Sequence, residues 1–144
     1  MKIAIGSDHA AFDEKQKTIE YLVSKGYEVK DFGTDKKESC DYPEYAHRVA
    51  EAVANGEYER GILMCGTGIG MSMTANRHKG VRAALVHDEY TAKMSREHND
   101  SNILCLGARV LDYTTLERLV GLWLNTTASE EEKHRKRIDM IDSC

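Results

Sequence analysis

The chain has 144 residues, of which 41% are hydrophobic and 31% are charged, a balance typical of one globular domain with one substantial core. A formal net charge of -4 and a pI near 5.9 argue against a broad cationic surface for nucleic acid. The opening MKIAIGSDH is too short for a signal peptide, and no apolar run approaches a membrane span. We therefore expect a cytoplasmic protein with no membrane partner.

Short apolar runs rich in β-branched residues alternate along the chain with stretches of helical spacing. Pro43 suits the first turn of a helix, and Gly26 and Gly56 suit helix ends. In chain order, the predicted elements are a strand at 2–6, a helix from 12 to about 26, a strand at 27–33, a helix at 43–55, a strand at 61–65, a helix at 69–77, a strand at 81–87, a helix at 88–97, a strand at 102–107, a helix around 116–124 and a terminal helix at about 130–141.

Five strands separated by helices predict an α/β fold with an open parallel sheet and helices on both faces. The chain contains no internal repeat, low-complexity tract or linker, so residues 1–144 are expected to form a single domain. In such sheets, ligands bind beyond the carboxyl ends of the strands. The segments expected at that edge are GSDH (6–9), DFGT (31–34), CGTGIG (65–70), HDEY (87–90) and LGAR (106–109).

The CGTGIG segment is a glycine-rich loop. Gly66, Gly68 and Gly70 allow a tight turn that points N–H groups inward, and the following helix adds the positive end of its dipole. The loop lacks the lysine of a P-loop and the G-x-G-x-x-G spacing of a dinucleotide site. A cysteine-phosphatase loop would need an arginine where Met71 stands. The loop is therefore either a site for a phosphate or an oxyanion, or a plain strand-to-helix turn.

The four cysteines include no C-x-x-C pair, so neither a zinc site nor a redox dithiol is indicated, and free thiols are expected. Cys40, Cys105 and Cys144 are expected to be inert. Cys65 differs because it ends a strand against a loop of N–H donors, a setting that favours thiolate. From the residue alone, a reactive thiol and a small buried apolar residue remain equally open.

Five stretches taken together resemble the RpiB/LacAB family of sugar-phosphate isomerases. They are GSDHAAF (6–12), DYPEYA (41–46), CGTGIGMSMTANR (65–77), REHNDSNILCLGAR (96–109) and HRKR (134–137). The resemblance implies a Rossmann-like, three-layer α/β/α domain with a five-stranded parallel sheet. It also implies a homodimer, with a tetramer left open, whose active sites lie between subunits and whose C-terminal helix reaches the partner. The implied reaction interconverts ribose 5-phosphate and ribulose 5-phosphate without a metal or an organic cofactor.

The resemblance assigns the catalytic residues. Cys65 would be the base that removes a proton from the carbon beside the sugar carbonyl. The resulting enediolate would be stabilised by the N–H groups of Gly66, Gly68 and Gly70. Thr67 would move a proton between the two sugar oxygens, unless its hydroxyl only bonds the loop backbone. His98 would open the sugar ring with Asp8 as its partner, unless it is only a histidine at a helix end.

The resemblance also assigns substrate-binding residues. Asn99 would bind sugar hydroxyls, and Tyr42 would contact the substrate, with a packing role equally open. The phosphate would be bound at three family positions, His9, Arg109 and Arg137. Four of the site residues would come from the partner subunit, namely His98, Asn99, Arg109 and Arg137.

The chain departs from the family pattern Arg-His-x-x-Arg near its C-terminal end. Lys133 stands in place of the first arginine, and three glutamates at 130–132 precede it. Lysine cannot clamp a phosphate bidentately, and the neighbouring acids can compete for it. We therefore expect Lys133 to have a modest effect on KM and none on the chemistry. The alternative that this basic stretch is only a solvated helix face stays open.

Two further functions remain open. A six-carbon sugar-phosphate isomerase, acting on allose 6-phosphate or galactose 6-phosphate, would use the same catalytic residues with a deeper pocket. A non-catalytic sugar-phosphate-binding module would bind without turnover, although the joint presence of Cys65, Thr67 and His98 favours an enzyme.

Overall fold

The computed structural model describes residues 1–143, in which five strands alternate with six α-helices. The strands are β1 (Lys2–Ser7), β2 (Glu28–Asp31), β3 (Arg60–Cys65), β4 (Ala83–Leu85) and β5 (Ile103–Gly107). The helices are α1 (Phe12–Ser24), α2 (Tyr42–Ala54), α3 (Ile69–Ala75), α4 (Glu89–Glu97), α5 (Tyr113–Asn125) and α6 (Glu132–Asp142). A 3-10 turn, His9–Ala11, precedes α1. Cys144, expected to be an inert thiol, lies outside the described residues.

The strands form one parallel sheet, as the sequence predicts, and their order is β2–β1–β3–β5–β4. The chain winds from β1 toward one edge of the sheet and from β3 toward the other. The connections therefore diverge between the carboxyl ends of β1 and β3, where Ser7 is in register with Met64. A divergence of this kind leaves a crevice for a ligand, here between the GSDH and CGTGIG segments.

Alternate residues of the central strands pack into two hydrophobic cores, one on each face of the sheet. One core joins the strands to α1, α4 and α5, and its members include Ile3, Ile5, Leu22, Ile62, Leu104, Leu116 and Trp123. The other joins the strands to α2 and α3, and its members include Ala4, Val49, Leu63, Cys65, Met71 and Cys105. Helices thus cover both faces, which confirms the three-layer α/β/α architecture.

The two edge strands are shorter than predicted. β2 was expected over 27–33 and β4 over 81–87, but β2 has four residues and β4 has three. Each edge strand pairs with one neighbour, and the flanking segments bend away from it while keeping single hydrogen bonds. After β2, for example, the Thr34 N–H donates to Ser7 O at 2.7 Å. The apolar sequence that predicted these strands thus extends beyond the residues that pair regularly with the neighbouring strand.

Two helix starts also differ from the prediction. α5 begins at Tyr113, before the predicted 116, since Asp112 caps it: the Thr115 N–H donates to Asp112 Oδ1 at 2.8 Å. α6 begins at Glu132 instead of about 130. The longest helices of residues 1–143 have 13 residues, and none is long and apolar enough to cross a membrane.

Charged side chains fix α6 to the turn between α4 and β5. Asp100 lies in that turn with φ +47° and accepts a hydrogen bond from Arg96 Nη1 at 2.8 Å. Arg135 Nη2 lies 3.3 Å from the other oxygen of the same carboxylate. Near the far end of α6, Arg82 Nη1 lies 2.9 Å from Asp142. These ion pairs hold α6 on its own chain at both ends.

Candidate active site

The glycine loop curls back over the sulfur of Cys65. Cys65 ends β3 with 5% of its surface exposed, and the Gly68 N–H donates to its Sγ at 3.1 Å. Gly68 caps α3 with φ +81°, a left-handed conformation that aims this amide at the sulfur and that a residue with a Cβ would strain. An N–H donor directed at sulfur stabilises negative charge there, so the geometry favours thiolate chemistry.

Thr67 lies at the exposed crest of the loop. Its Oγ1 accepts a hydrogen bond from the Ile69 N–H at 3.2 Å. A hydroxyl retains one donor while it accepts, so the Thr67 O–H is still able to donate to a ligand. The bond to loop backbone that the sequence analysis left open is therefore present, and it orients the hydroxyl without using its proton.

Asp8 and His9 follow β1 at the other side of the crevice. The Asp8 N–H donates to Met64 O at 3.2 Å, which brings Asp8 beside the residue before Cys65. Its Oδ1 accepts from the Ala10 N–H at 3.0 Å, and the residue is 7% exposed. Asp8 is thus a buried carboxylate that caps the His9–Ala11 turn at the rim of the thiol site.

His9 is fixed by a residue that sequence reasoning did not select. The Cys40 N–H donates to His9 Nδ1 at 3.2 Å, so Nδ1 is the acceptor and Nε2 carries the ring hydrogen. His9 can therefore offer an Nε2–H donor to a ligand oxygen. The sequence analysis grouped His9 with the arginines as a phosphate-binding residue, and this contact leaves the Nε2 side of the ring for such a ligand.

Tyr42 and Arg109 both lie against the loop. The Tyr42 ring, on the first residue of α2, packs so closely on Gly70 that no Cβ would fit there. The Arg109 N–H donates to Gly66 O at 3.0 Å, and a Cβ added at Gly66 would lie 3.5 Å from Arg109 Nη1. Arg109 was expected to come from the partner subunit. In the structure it follows β5 and contacts the glycine loop of its own chain.

A second set of predicted residues lies at the opposite edge of the sheet. This set consists of His98, Asn99, Lys133 and Arg137. His98 caps the end of α4, just before β5 begins at the amino edge, whereas Cys65 lies at the carboxyl edge. β5 has five residues and at about 3.3 Å per residue spans roughly 16 Å. One chain therefore does not bring His98 to Cys65.

His98 and His134 stack face to face. Their ring centroids are 4.2 Å apart with an interplanar angle of 12°. Burial lowers the pKa of His134, and the charges of His98, Lys133 and Arg137 lower it further, while Glu131 opposes them. His134 therefore favours the neutral form. Sequence reasoning missed this residue, although its i, i+4 spacing to the buried Ile138 was the available signal.

Lys133 and Arg137 lie on the exposed side of α6. Lys133 Nζ lies 3.5 Å from Glu131 Oε2, with both side chains more than half exposed, so a neighbouring acid does compete for it. Nearby, Asn99 lines a groove of about 470 Å³ that also involves the segment 76–84 and Asp142. This groove lies at the amino edge, away from the thiol.

No group of three or more His, Cys, Asp or Glu side chains in residues 1–143 is arranged to hold a metal ion. Cys105 is fully buried, and this burial raises the pKa of its thiol. A thiol held neutral in the core is consistent with the inert role expected for Cys105.

Comparison with known proteins agrees with the motifs. The family model described as Ribose/Galactose Isomerase matches residues 3–141. The chain is 44% identical over 140 residues to Ribose-5-phosphate isomerase B of Escherichia coli (strain K12), covering 97% of this chain and 93% of that protein. It is 39% identical over 142 residues to Galactose-6-phosphate isomerase subunit LacB of Clostridium acetobutylicum, covering 99% and 82%.

The solved structure of Ribose-5-Phosphate Isomerase B from Clostridium thermocellum matches with a TM-score of 0.97 and 47% identity, covering 99% of this chain and 96% of that one. Fold, motif order and family model thus agree over nearly the whole chain and confirm the resemblance. The chain belongs to the ribose/galactose isomerase family, RpiB/LacAB.

Proposed function

We propose that this protein interconverts ribose 5-phosphate and ribulose 5-phosphate, with Cys65 as the base. The observation that carries this proposal is the 3.1 Å contact between the Gly68 N–H and the Cys65 sulfur. Aldose–ketose isomerisation removes a weakly acidic proton from the carbon beside a carbonyl, so it needs a positioned base and a stabilised oxyanion. A thiolate beside a turn of backbone amides supplies both.

In the proposed reaction, Cys65 takes the proton from C2 of the open aldose and returns it to C1. The enediolate oxygen is held by loop N–H groups. Because the Gly68 amide is directed at the sulfur, this part falls to the amides of Gly66 and Gly70. The Thr67 O–H moves the remaining proton between O1 and O2, and the Ile69 amide holds its oxygen.

The phosphate is bound, in this proposal, at the rim of the crevice. His9 donates through Nε2–H because Cys40 occupies Nδ1. Arg109 adds a guanidinium over Gly66, and Arg137 adds a second one from a partner chain. A guanidinium can bind two phosphate oxygens at once, which an ammonium cannot do. Tyr42 bounds the site beside Gly70, and Asn99 of the partner binds sugar hydroxyls.

Ring opening requires a second chain. His98 lies at the far edge of its own sheet, so we propose that the partner's His98 meets Asp8 and Cys65 in a homodimer with shared active sites. The outward position of Lys133 and Arg137 on α6 supports this arrangement, since both can reach across an interface. The proposed compartment is the cytoplasm, where thiols stay reduced.

The test is a coupled assay on ribose 5-phosphate with Cys65→Ala as the deciding variant. Loss of the base should lower kcat by about two to four orders of magnitude while the variant still binds the sugar phosphate. The matched control is Cys105→Ala, which removes a buried thiol one strand away and should retain turnover.

Near-normal turnover by Cys65→Ala would reassign the base. A panel with allose 6-phosphate and galactose 6-phosphate at equal concentration tests substrate length. Turnover of a six-carbon phosphate without turnover of ribose 5-phosphate would replace the proposed substrate. Binding with no turnover of any of them would replace the enzyme by a binding module.

A further inference from the structure

The His98–His134 stack has no part in the reaction proposed so far. His134 is the third residue of α6 and is 8% exposed, whereas His98 caps α4 and is half-buried. At a centroid distance of 4.2 Å and 12° between planes, the His134 ring covers one face of the His98 ring. The ring edges, which carry the nitrogens, are not covered by a face-to-face stack.

The His98 ring lacks the support that usually orients a proton-transferring histidine. Such an imidazole normally has one nitrogen hydrogen-bonded to a carboxylate or a carbonyl. Within residues 1–143, neither nitrogen of the His98 ring has a hydrogen-bond partner in its own chain. The neighbouring imidazole is therefore the contact in this chain that fixes the plane of the His98 ring.

The position of His134 is itself fixed by several contacts. Its N–H donates to Glu131 O at 3.0 Å, and its Nε2 lies 4.0 Å from the Glu131 carboxylate. Arg135, the next residue, pairs with Asp100, two residues beyond His98. The loop before α6 is tied to the end of α4 by the Ser129 N–H, which donates to Glu97 O at 2.9 Å. The two rings thus sit on segments that are held together.

We propose that His134 is a positioning residue for ring opening, and that its stacked ring holds the His98 imidazole in the orientation that proton transfer requires. This inference rests on the proposed function, in which His98 opens the ring. Loss of the stack leaves His98 able to rotate, so fewer molecules have a nitrogen aimed at the sugar. A small misplacement of a reacting group is enough to cost a large part of the rate.

The deciding variants differ in whether they can stack. His134→Leu keeps apolar bulk but removes the planar ring, whereas His134→Phe keeps a ring that can cover His98. The matched control is His47→Leu, because His47 belongs to another close histidine pair, with His78 at a centroid distance of 4.9 Å on the exposed side of α2. The full-length protein is used throughout.

Two readouts separate ring opening from proton abstraction. The first is kcat for ribose 5-phosphate, which is mostly cyclic. The second is exchange of the C1 hydrogen of ribulose 5-phosphate in D2O, followed by NMR. Ribulose 5-phosphate is open-chain, because the phosphate on its C5 oxygen prevents closure onto C2. Exchange therefore needs Cys65 and the loop, but no ring opening.

His134→Leu should lower kcat on ribose 5-phosphate about tenfold and leave exchange within about twofold of wild type. His134→Phe should stay within about threefold on both readouts, and His47→Leu should change neither. An equal loss on both readouts, or no loss at all, would overturn the proposal. Should His134→Leu fail to fold, His134→Gln makes the same comparison.

The result also separates this inference from the proposed function. Wild-type protein with neither turnover nor exchange would overturn the isomerase itself. Wild-type protein with both activities, together with a His134→Leu variant of normal kcat, would overturn only the positioning role of His134.

Discussion

The Gly68 amide is directed at the sulfur of Cys65, and this contact distinguishes it from the other amides of the glycine loop. In the proposed reaction this amide holds the sulfur, which leaves the amides of Gly66 and Gly70 for the oxygen of the enediolate. A base and its oxyanion site that share a turn of backbone keep a fixed spacing. Such a fixed spacing would let a loop of small residues support the proposed proton abstraction from carbon.

Lys133 offers a prediction at the same scale. Its ammonium is exposed and paired with Glu131 at 3.5 Å, so its share of phosphate binding should be small. Lys133→Ala should raise KM for ribose 5-phosphate about threefold and leave kcat unchanged, as steady-state kinetics would measure. Glu131→Gln should lower KM, because it releases the ammonium. Lys136→Ala on the same helix is the control, and an unchanged KM in Lys133→Ala would remove Lys133 from the phosphate site.

For single residues, sequence reasoning could predict contacts between residues that are close together in the chain. Cys65 and the loop glycines are adjacent in the chain, so their meeting needs no tertiary information. The amide of Cys40 that sets the hydrogen on His9 could not be found this way, because 31 residues separate the pair and no motif links them.

Among the elements, α6 has two faces with separate tasks. Its inner face buries His134 and Ile138 against the chain, and its outer face carries Lys133 and Arg137. Within the sequence KHRKR, the resemblance assigned Arg137 to phosphate binding, and a solvated helix face was left open for the stretch as a whole. Spacing could have indicated that position 134 faces inward, but not that it faces a histidine. That contact depends on how the turn at Asp100 folds.

The stability of this packing should depend on pH. Since burial lowers the pKa of His134, the folded chain binds fewer protons there than the unfolded chain, whose histidines titrate near 6.5. The contribution of His134 is thus present above that value and is lost as the pH falls below it. Urea unfolding should give a free energy that declines from about pH 7 to about pH 5, with a shallower decline in His134→Phe.

The unfolding experiment contains its own control. Above about pH 7, His134 is neutral in both states, so wild type and His134→Phe should differ by a constant free energy. If the plots of unfolding free energy against pH stayed parallel down to about pH 5, the pKa of His134 would not be lowered in the folded state.

For the whole molecule, the order of the strands decides which residues meet. Divergence between β1 and β3 brings the segments of Asp8 and Cys65 together, and the strand-end rule predicted from the sequence that both segments lie at the carboxyl edge of the sheet. The rule could not say which chain supplies Arg109, since that depends on how the segment after β5 folds back over Gly66. The same topology leaves His98 at the other edge.

A mixing experiment tests the shared site. Cys65→Ala and His98→Ala should each be nearly inactive alone, because each lacks one half of the machinery. In a mixed dimer, one of the two sites combines an intact Cys65 with an intact His98. Random exchange in an equal mixture should therefore restore about a quarter of wild-type activity, because half of the dimers are mixed and each has one working site. A mixture as inactive as its components would mean that the sites are not shared.

The separation of the thiol and His98 across the sheet has a thermodynamic consequence. If each site is completed by a neighbour, the sugar phosphate bridges two polypeptides and adds to their association by mass action. Specific activity then falls on dilution, and saturating substrate opposes that loss. The concentration of the enzyme in the cell thus becomes a control on flux, through an equilibrium that the reactant itself shifts.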